Sequence, residues 1–466
     1  MRLLIVSLLF LLILTACAAP SQPTTIPAGT AELESQAVTL DGTLETSLLA
    51  TTWDDSPEDN ALFPLDPASG TALPGYEPIP LGYSSFSAYS PDRQTLAMVS
   101  FPTETTYEGS MLLIDLPAWK ARRFELKLVG WVNAMAFSPD GRRLALAHGE
   151  TYYQLTMFDL EQGVVETHAE TDSFVSRLKF TSDGEALMVY SPTIDNTNGL
   201  SADPPQVLLL DAADLSPRWS AELENVRDGI FPKDETITHP ELYEPGNALY
   251  LSPGLTFTPG QDVLYVVHAD SKEMTTVDFQ RQNVKTVDIQ PRLSWFEQLL
   301  SLTAGVAHAK IADGTNKQAA ISPDGQFLYI IGVNNASFQD KQGNWQMEQT
   351  PLGLEIIQTS DGSRVEHFET DATEFSLSPD GRFLYMRNWG SGLPWTEIFD
   401  TSNRQLVARK EKLFATPALL VNGGALLTST YSTSETSNHM SVLEPDGSRV
   451  LAEWTASESV WWLTPP

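Results

Sequence analysis

Ala136-Phe137-Ser138-Pro139-Asp140-Gly141-Arg142-Arg143-Leu144-Ala145-Leu146 reads as the end of one apolar strand, a tight turn, and the start of a second apolar strand. Pro presets φ for the turn, Asp bonds the backbone that follows it, and Gly supplies positive φ before the next strand. The same stretch returns as Ile321-Ser322-Pro323-Asp324-Gly325-Gln326-Phe327-Leu328-Tyr329 and as Leu377-Ser378-Pro379-Asp380-Gly381-Arg382-Phe383-Leu384-Tyr385. Weaker copies begin at Tyr89-Ser90-Pro91-Asp92, Phe180-Thr181-Ser182-Asp183-Gly184, Phe257-Thr258-Pro259-Gly260 and Leu420-Val421-Asn422-Gly423, which makes seven hairpins. Turn chemistry accounts for these aspartates, so they are read as structural rather than catalytic.

A second strand pair with its own tight turn follows each hairpin. Asp66, Asp115, Asp159, Asp211, Asp278 and Asp400 open these turns, and Gln358 and Glu444 stand at the same place in two further units. That makes eight second pairs against seven hairpins, because the first pair, residues 61–79, precedes any hairpin copy. The missing strand lies at the other end of the chain. Residues 459–466 align with 132–140 and stop where the turn would begin, and a strand near residues 46–53 could complete that unit. Joining one terminus to a sheet begun by the other is how a circular array closes. Repeat units as close as 43 residues, Asp140 to Asp183, fit four-stranded propeller blades. The expectation is an all-β propeller of eight blades, or seven if one weak unit is irregular, closed by N- and C-terminal strands.

The Ser-Pro-Asp-Gly hairpins resemble those of TolB-type and WD-repeat-like β-propellers. Leu264-Tyr265-Val266-Val267-His268-Ala269-Asp270 followed by Thr276-Val277-Asp278 is similar to YVTN-type propeller repeats. The resemblance spans about residues 40–466 and is one of architecture, shared by proteins of many functions. The Trp-Asp dipeptide of true WD repeats occurs once, at Trp53-Asp54, and not at its place in the unit.

Turns between first and second and between third and fourth strands lie on one face of a propeller, and here they are short. All long insertions belong to the other face: residues 191–206, 224–248, 290–317 and 332–353. They come from three consecutive blades and should converge over one sector, as insertions that mark a binding face do. The third carries Leu293, Trp295, Phe296, Leu299, Leu300 and Leu302, spaced as one side of a helix that ends at Gly305. Packing of that side on the propeller or capture of a partner are both open.

No GxSxG elbow, HExxH, GxGxxG, Walker loop or EF-hand ligand series occurs in the chain. The absence of a catalytic signature leans the reading away from an enzyme without deciding it, no metal ligand set is assigned, and the cofactor is left unknown. Polar residues expected on the insertion face are His148, Glu150, His239, Glu241, His268, Asp270, His308 and Trp389. A His and a carboxylate in neighbouring loops could bind a metal or act as acid and base, and solvated loop polarity is the commoner explanation of such residues.

The 466 residues, 42% hydrophobic, suffice for one large core or several small ones. Sixty acids against 28 bases give a net charge of −32, a field that repels polyanions and argues against a nucleic-acid ligand. One cysteine excludes an intramolecular disulfide, a CxxC zinc site and c-type haem attachment. It lies at Leu14-Thr15-Ala16-Cys17, directly after the apolar run of residues 3–14 that follows Met1-Arg2. That segment reads as a signal peptide. Leu-Thr-Ala-Cys resembles the lipobox of bacterial lipoproteins, which implies acylation of Cys17 as the first mature residue. The alternative is an ordinary secretory signal cleaved at Ala18-Ala19.

The lipobox reading divides the chain into a signal peptide over 1–16, a lipidated cysteine and tether over 17–36 (Ala-, Pro-, Ser-, Gln- and Thr-rich from residue 18), and a propeller over 37–466. The combined expectation is an extracytoplasmic, membrane-anchored, monomeric scaffold that binds a protein or small molecule on the insertion face and meets the membrane through its anchor alone. A lactonase-like propeller hydrolase with a site at the channel mouth, or a structural component of an envelope assembly, are the competing classes.

Overall fold

The computed structural model describes residues 48–52, 60–101, 108–128, 130–149, 153–171, 174–192, 194–195, 200–201, 204–234, 246–289, 311–339, 343–378, 380–388, 394–411, 414–416, 426–430, 437–457 and 460–462. Every regular element among them is a strand, and none is a helix. The expected signal peptide, Cys17 and expected tether, the segment 293–302 read as one side of a helix and the hairpin copy expected at 420–423 lie outside the described residues.

The hairpin motif folds through one repeated set of bonds. Ser138 Oγ donates to Asp140 Oδ1 at 2.6 Å and accepts from the Arg143 amide at 2.9 Å, while Asp140 Oδ1 accepts from the Arg142 amide at 3.1 Å. Ser90 with Asp92, Thr181 with Asp183, Ser322 with Asp324 and Ser378 with Asp380 repeat the hydroxyl-to-carboxylate bond at 2.5–2.6 Å. That bond holds the Asp92, Asp140, Asp183 and Asp324 carboxyls below their ordinary range. Gly141 sits at φ +71°, a conformation its position in the turn requires.

These hairpins and the pairs that follow them assemble into antiparallel sheets. Six four-stranded sheets are each drawn from one stretch of chain, over residues 83–127, 131–171, 177–222, 254–288, 374–411 and 414–457. The repeat count led to eight uniform units, and two of those units are built differently. One four-stranded sheet combines Leu48–Thr52, Ala61–Leu65 and Ile79–Pro80 with the C-terminal strand Val460–Trp462. Ala50 stands opposite Trp462 and Thr52 opposite Val460, so the two ends of the chain meet in one sheet. The other unit, over residues 311–368, is absorbed into a seven-stranded sheet because its strands run on beyond the repeat and recruit an inserted hairpin.

Second strands are buried on both faces, as in Ala186–Ser191, whereas fourth strands such as Val164–Thr171 alternate between exposed and half-buried and form the outer edge. Apolar clusters join each sheet to the next: Val99, Phe101 and Leu113 pack with Leu144 and Leu146, and Tyr190 and Val207 pack with Leu264 and Val266. The last sheet packs on the first through Met440, Val442 and Trp454 against Ala50, Phe63 and Leu65. Trp454 Nε1 also donates to the Pro67 carbonyl at 3.3 Å. Burial of apolar surface between face-packed sheets, at about 25 cal/mol per Å2, is the main favourable term holding such a ring. The fold is an all-β propeller.

Its two faces differ. Turns one–two and three–four lie side by side at one end of each sheet, where the Leu160 amide donates to the Arg142 carbonyl and the Phe279 amide to the Asp262 carbonyl, both at 2.9 Å. This is the short-turn face, and the long insertions emerge from the other.

Candidate functional site

Four insertions rise from the second face and are bonded to one another. Ile311–Ile321 and Phe327–Gln339 pair along their whole length, so their outer halves extend past the sheet they belong to. Trp345–Pro351 pairs on one side of that extension, with Asn334 opposite Thr350. On the other side Ala248–Ser252 joins in parallel, with Tyr250 opposite Gly314 and Leu251 opposite Thr315, and Gly229–Pro232 completes the edge. The result is a five-stranded platform from three separate insertions. The fourth contributes the hairpin Ile194–Asp195 with Leu200–Ser201, from which Ser201 Oγ donates to the Asp228 carbonyl at 2.8 Å. The parallel contact depends on Gly314, at φ +144°, where a Cβ would lie 1.8 Å from the Tyr250 carbonyl oxygen.

A belt of polar side chains runs through the platform and the turns beside it. Asp228 accepts from the Tyr190 hydroxyl at 2.9 Å. Burial pushes the Asp228 carboxyl up to about 6, against the opposing pull of that hydroxyl and of Arg177. Its neighbour Arg227 stacks 4.1 Å from the Phe231 ring centroid and pairs with Asp270 at 3.6 Å. Lys233 pairs with Asp313 at 3.0 Å. Lys317 is half-buried and donates to the His268 and Ser271 carbonyls. Burial lowers its ammonium, and Glu355 and Asp270 oppose the shift.

The histidines expected on the open face stand at strand ends inside two different sheets. His148 is 1% exposed, its Nε2 2.9 Å from Thr156 Oγ1, and burial pushes it down to about 4. His268 is 0% exposed, with Nε2 2.7 Å from Thr275 Oγ1, which is in turn 2.8 Å from Thr286 Oγ1. Burial lowers His268 as well, against the pull of Glu273 and Asp270. Both residues follow the turn Ser or Thr of their unit by ten positions, as Ser100, Ser191 and Asn388 do in theirs. Those three donate to the carbonyls of Leu81, Phe174 and Asp371, each just before the first strand of its own sheet. The position thus secures the entry to the first strand on this face, whereas the histidines bond a threonine on the third strand of the same sheet.

Asp270 joins the belt through Arg227. Glu150, His239, Glu241, His308 and Trp389 lie outside the described residues. No group of three or more His, Cys, Asp or Glu able to hold a metal occurs among the described residues.

Thr275 and Thr286 line a recess of about 160 Å3 together with Glu222, Leu223, Glu224, Asn225 and Val284. Sites for organic ligands occupy roughly 300–1,000 Å3, so this recess is small for one. The site's chemistry is that of a hydrogen-bonded surface with one carboxyl that burial pushes up to about 6. Sequence reading missed Tyr190, Arg227, Asp228, Lys233, Asp313 and Lys317. The only pointer to them was their position within or beside the insertions, since none belongs to a motif.

No family model matches the chain, and no curated protein matches it. Solved structures do. A dihydro-heme d1 dehydrogenase, NirN, in complex with DHE superposes with a TM-score of 0.54 at 11% identity, covering 95% of this chain and 83% of that one. The β-propeller domain of Cps50 (Swd1) from Myceliophteria thermophila gives 0.40 at 11% identity, covering 81% and 97%. Hydrazine synthase of Kuenenia stuttgartiensis gives 0.39 at 12% identity, covering 77% and 94%. At these identities the likeness to NirN speaks for the propeller fold and for nothing finer.

Proposed function

We propose that this chain is a lipid-anchored, extracytoplasmic propeller of eight blades that presents the insertion platform to a protein partner as a binding scaffold. The count of eight takes the terminal sheet and the core of the seven-stranded sheet as blades beside the six regular ones. The Ser-Pro-Asp-Gly hairpins support kinship with TolB-type and YVTN-type propellers. The lipobox-like Leu14-Thr15-Ala16-Cys17 supports the anchor and, with it, a place outside the cytoplasm.

The observation that carries the binding role is the parallel pairing of residues 250–252 with 314–316. Two insertions from different units build one continuous sheet there, which ring closure does not need. A surface ordered in this way meets a partner with less loss of loop entropy than four separate loops would.

The test places a photo-cross-linking residue at exposed Gln349 on the platform or at exposed Asp361 on the short-turn face. The expected result is one discrete adduct from position 349, lost in a Gly314→Ala background, and none from 361. Equal cross-linking from both positions would refute the assignment. The anchor has its own test: Cys17→Ser should move the protein from the membrane to the soluble fraction.

A further inference from the structure

We infer that the short-turn face of the ring rests on the lipid bilayer, so that the insertion platform points away from the membrane. This rests on the lipid anchor proposed above and adds an orientation that the anchor by itself does not give.

The first observation is where the chain enters the fold. Leu48 stands opposite Leu65 in the terminal sheet, and Asp66, the next residue, begins a tight turn in which its amide donates to the Thr71 carbonyl. That turn joins a third strand to a fourth. The strand Leu48–Thr52 therefore starts at the short-turn face, and any tether from Cys17 is attached there. The 31 residue steps from Cys17 to Leu48 reach at most roughly 110 Å at full extension. An attachment at this face leaves the platform on the side away from the anchor point. To bring the platform to the membrane, the tether would have to pass around the outside of the ring.

The second observation is independent of the first. Among the described residues, the exposed large apolar side chains are Val164, Val165, Trp345, Met347, Val365, Leu406, Val407 and Val450. Trp345 and Met347 belong to the platform. The other six, 36% to 51% exposed, all stand in the first three residues of a fourth strand, directly after the short three–four turn. Four of them, Val365, Leu406, Val407 and Val450, come from three sheets consecutive in the chain. Each of the fourth strands concerned meets its neighbour through a β-bulge close to these residues. A bulge re-aims side chains, and here the result is aliphatic surface on the rim of the face where the tether attaches. Aliphatic side chains at the edge of an anchored domain can insert into the headgroup region without any charge complementarity. That suits a chain whose net charge of −32 gives it no electrostatic attraction to anionic lipid.

The test uses the lipidated full chain on phosphatidylcholine vesicles carrying a spin-labelled lipid as fluorescence quencher. The chain's own thiol is acylated, so Ser448→Cys on the short-turn face or Gln349→Cys on the platform takes the fluorophore alone; both positions are exposed. Quenching at least twofold stronger at 448 than at 349 is expected. A further variant carrying Val365→Ser, Leu406→Ser, Val407→Ser and Val450→Ser should lower the quenching at 448 by half or more while its circular dichroism spectrum stays the same. Equal quenching at the two positions, stronger quenching at 349, or no effect of the serine changes overturns the orientation and leaves the anchor standing. Failure of the unlabelled chain to associate with vesicles unless Cys17 is acylated supports the anchor, whereas association that persists in Cys17→Ser overturns both.

Discussion

Asp228→Asn should stabilise the protein at pH 8 and leave it unchanged at pH 4. The carboxyl is raised from 3.8 to about 6 in the folded chain. The folded state thus keeps a proton that the unfolded chain has already released. The residue's stabilising contribution is complete below about pH 4 and is lost as the pH rises through about 6. At roughly 1.4 kcal/mol per pH unit the full difference is about 3 kcal/mol. Asp228 keeps some solvent contact, so about 1–2 kcal/mol is the expected net gain for the variant at pH 8. The amide oxygen of Asn can still accept from Tyr190, which separates the charge from the hydrogen bond. Urea midpoints of both proteins from pH 4 to 8 provide the assay. Hydrogen exchange over residues 229–232 and 248–252 shows whether the gain is felt in the platform. A gap between variant and wild type that is the same at pH 4 and pH 8 would refute the reasoning, whatever its sign.

His148 runs the opposite way: it stays neutral in the fold down to about pH 4, so its contribution is lost as the pH falls from about 6.5 to 4. Its ring resonances should titrate near 4 by NMR, and a titration near 6.5 would show the ring open to solvent. Gly314→Ala should cost the platform more than about 2 kcal/mol, because the added Cβ meets the Tyr250 carbonyl in a conformation side chains rarely adopt. Amides of 250–252 and 314–316 should lose protection while those of 186–191 keep theirs; unchanged protection at 250–252 would contradict the parallel pairing as described.

The hairpins were legible because their chemistry is local. Ser138, Asp140 and Gly141 satisfy one another within six residues, and no tertiary contact is needed to read the turn. The terminal closure was also legible, since residues near 460 matched a strand pattern that lacked its mates and residues near 48 supplied them. The platform was not. Insertion lengths pointed to a crowded face, but the pairing of Tyr250 with Gly314 joins strands 64 positions apart whose sequences share no pattern. The histidines were misplaced for a different reason. His148 and His268 follow apolar runs and so read as the first loop residues, whereas His148 is the penultimate residue of its strand and His268 directly follows its own. Comparing the tenth residue after each turn Ser or Thr would have revealed a recurring polar position, Ser100, His148, Ser191, His268 and Asn388, interrupted by Gly332.

The strand Val460–Trp462 leaves the ribosome long after its partner Leu48–Thr52. Ala50 and Trp462 are 412 positions apart, so the terminal sheet stays one strand short until residues 460–462 have been made. Throughout that interval Leu48–Thr52 offers an open backbone edge. A chain cut short anywhere before residue 460 keeps that edge for good, which gives proteases and holding chaperones a means of telling a finished molecule from an unfinished one.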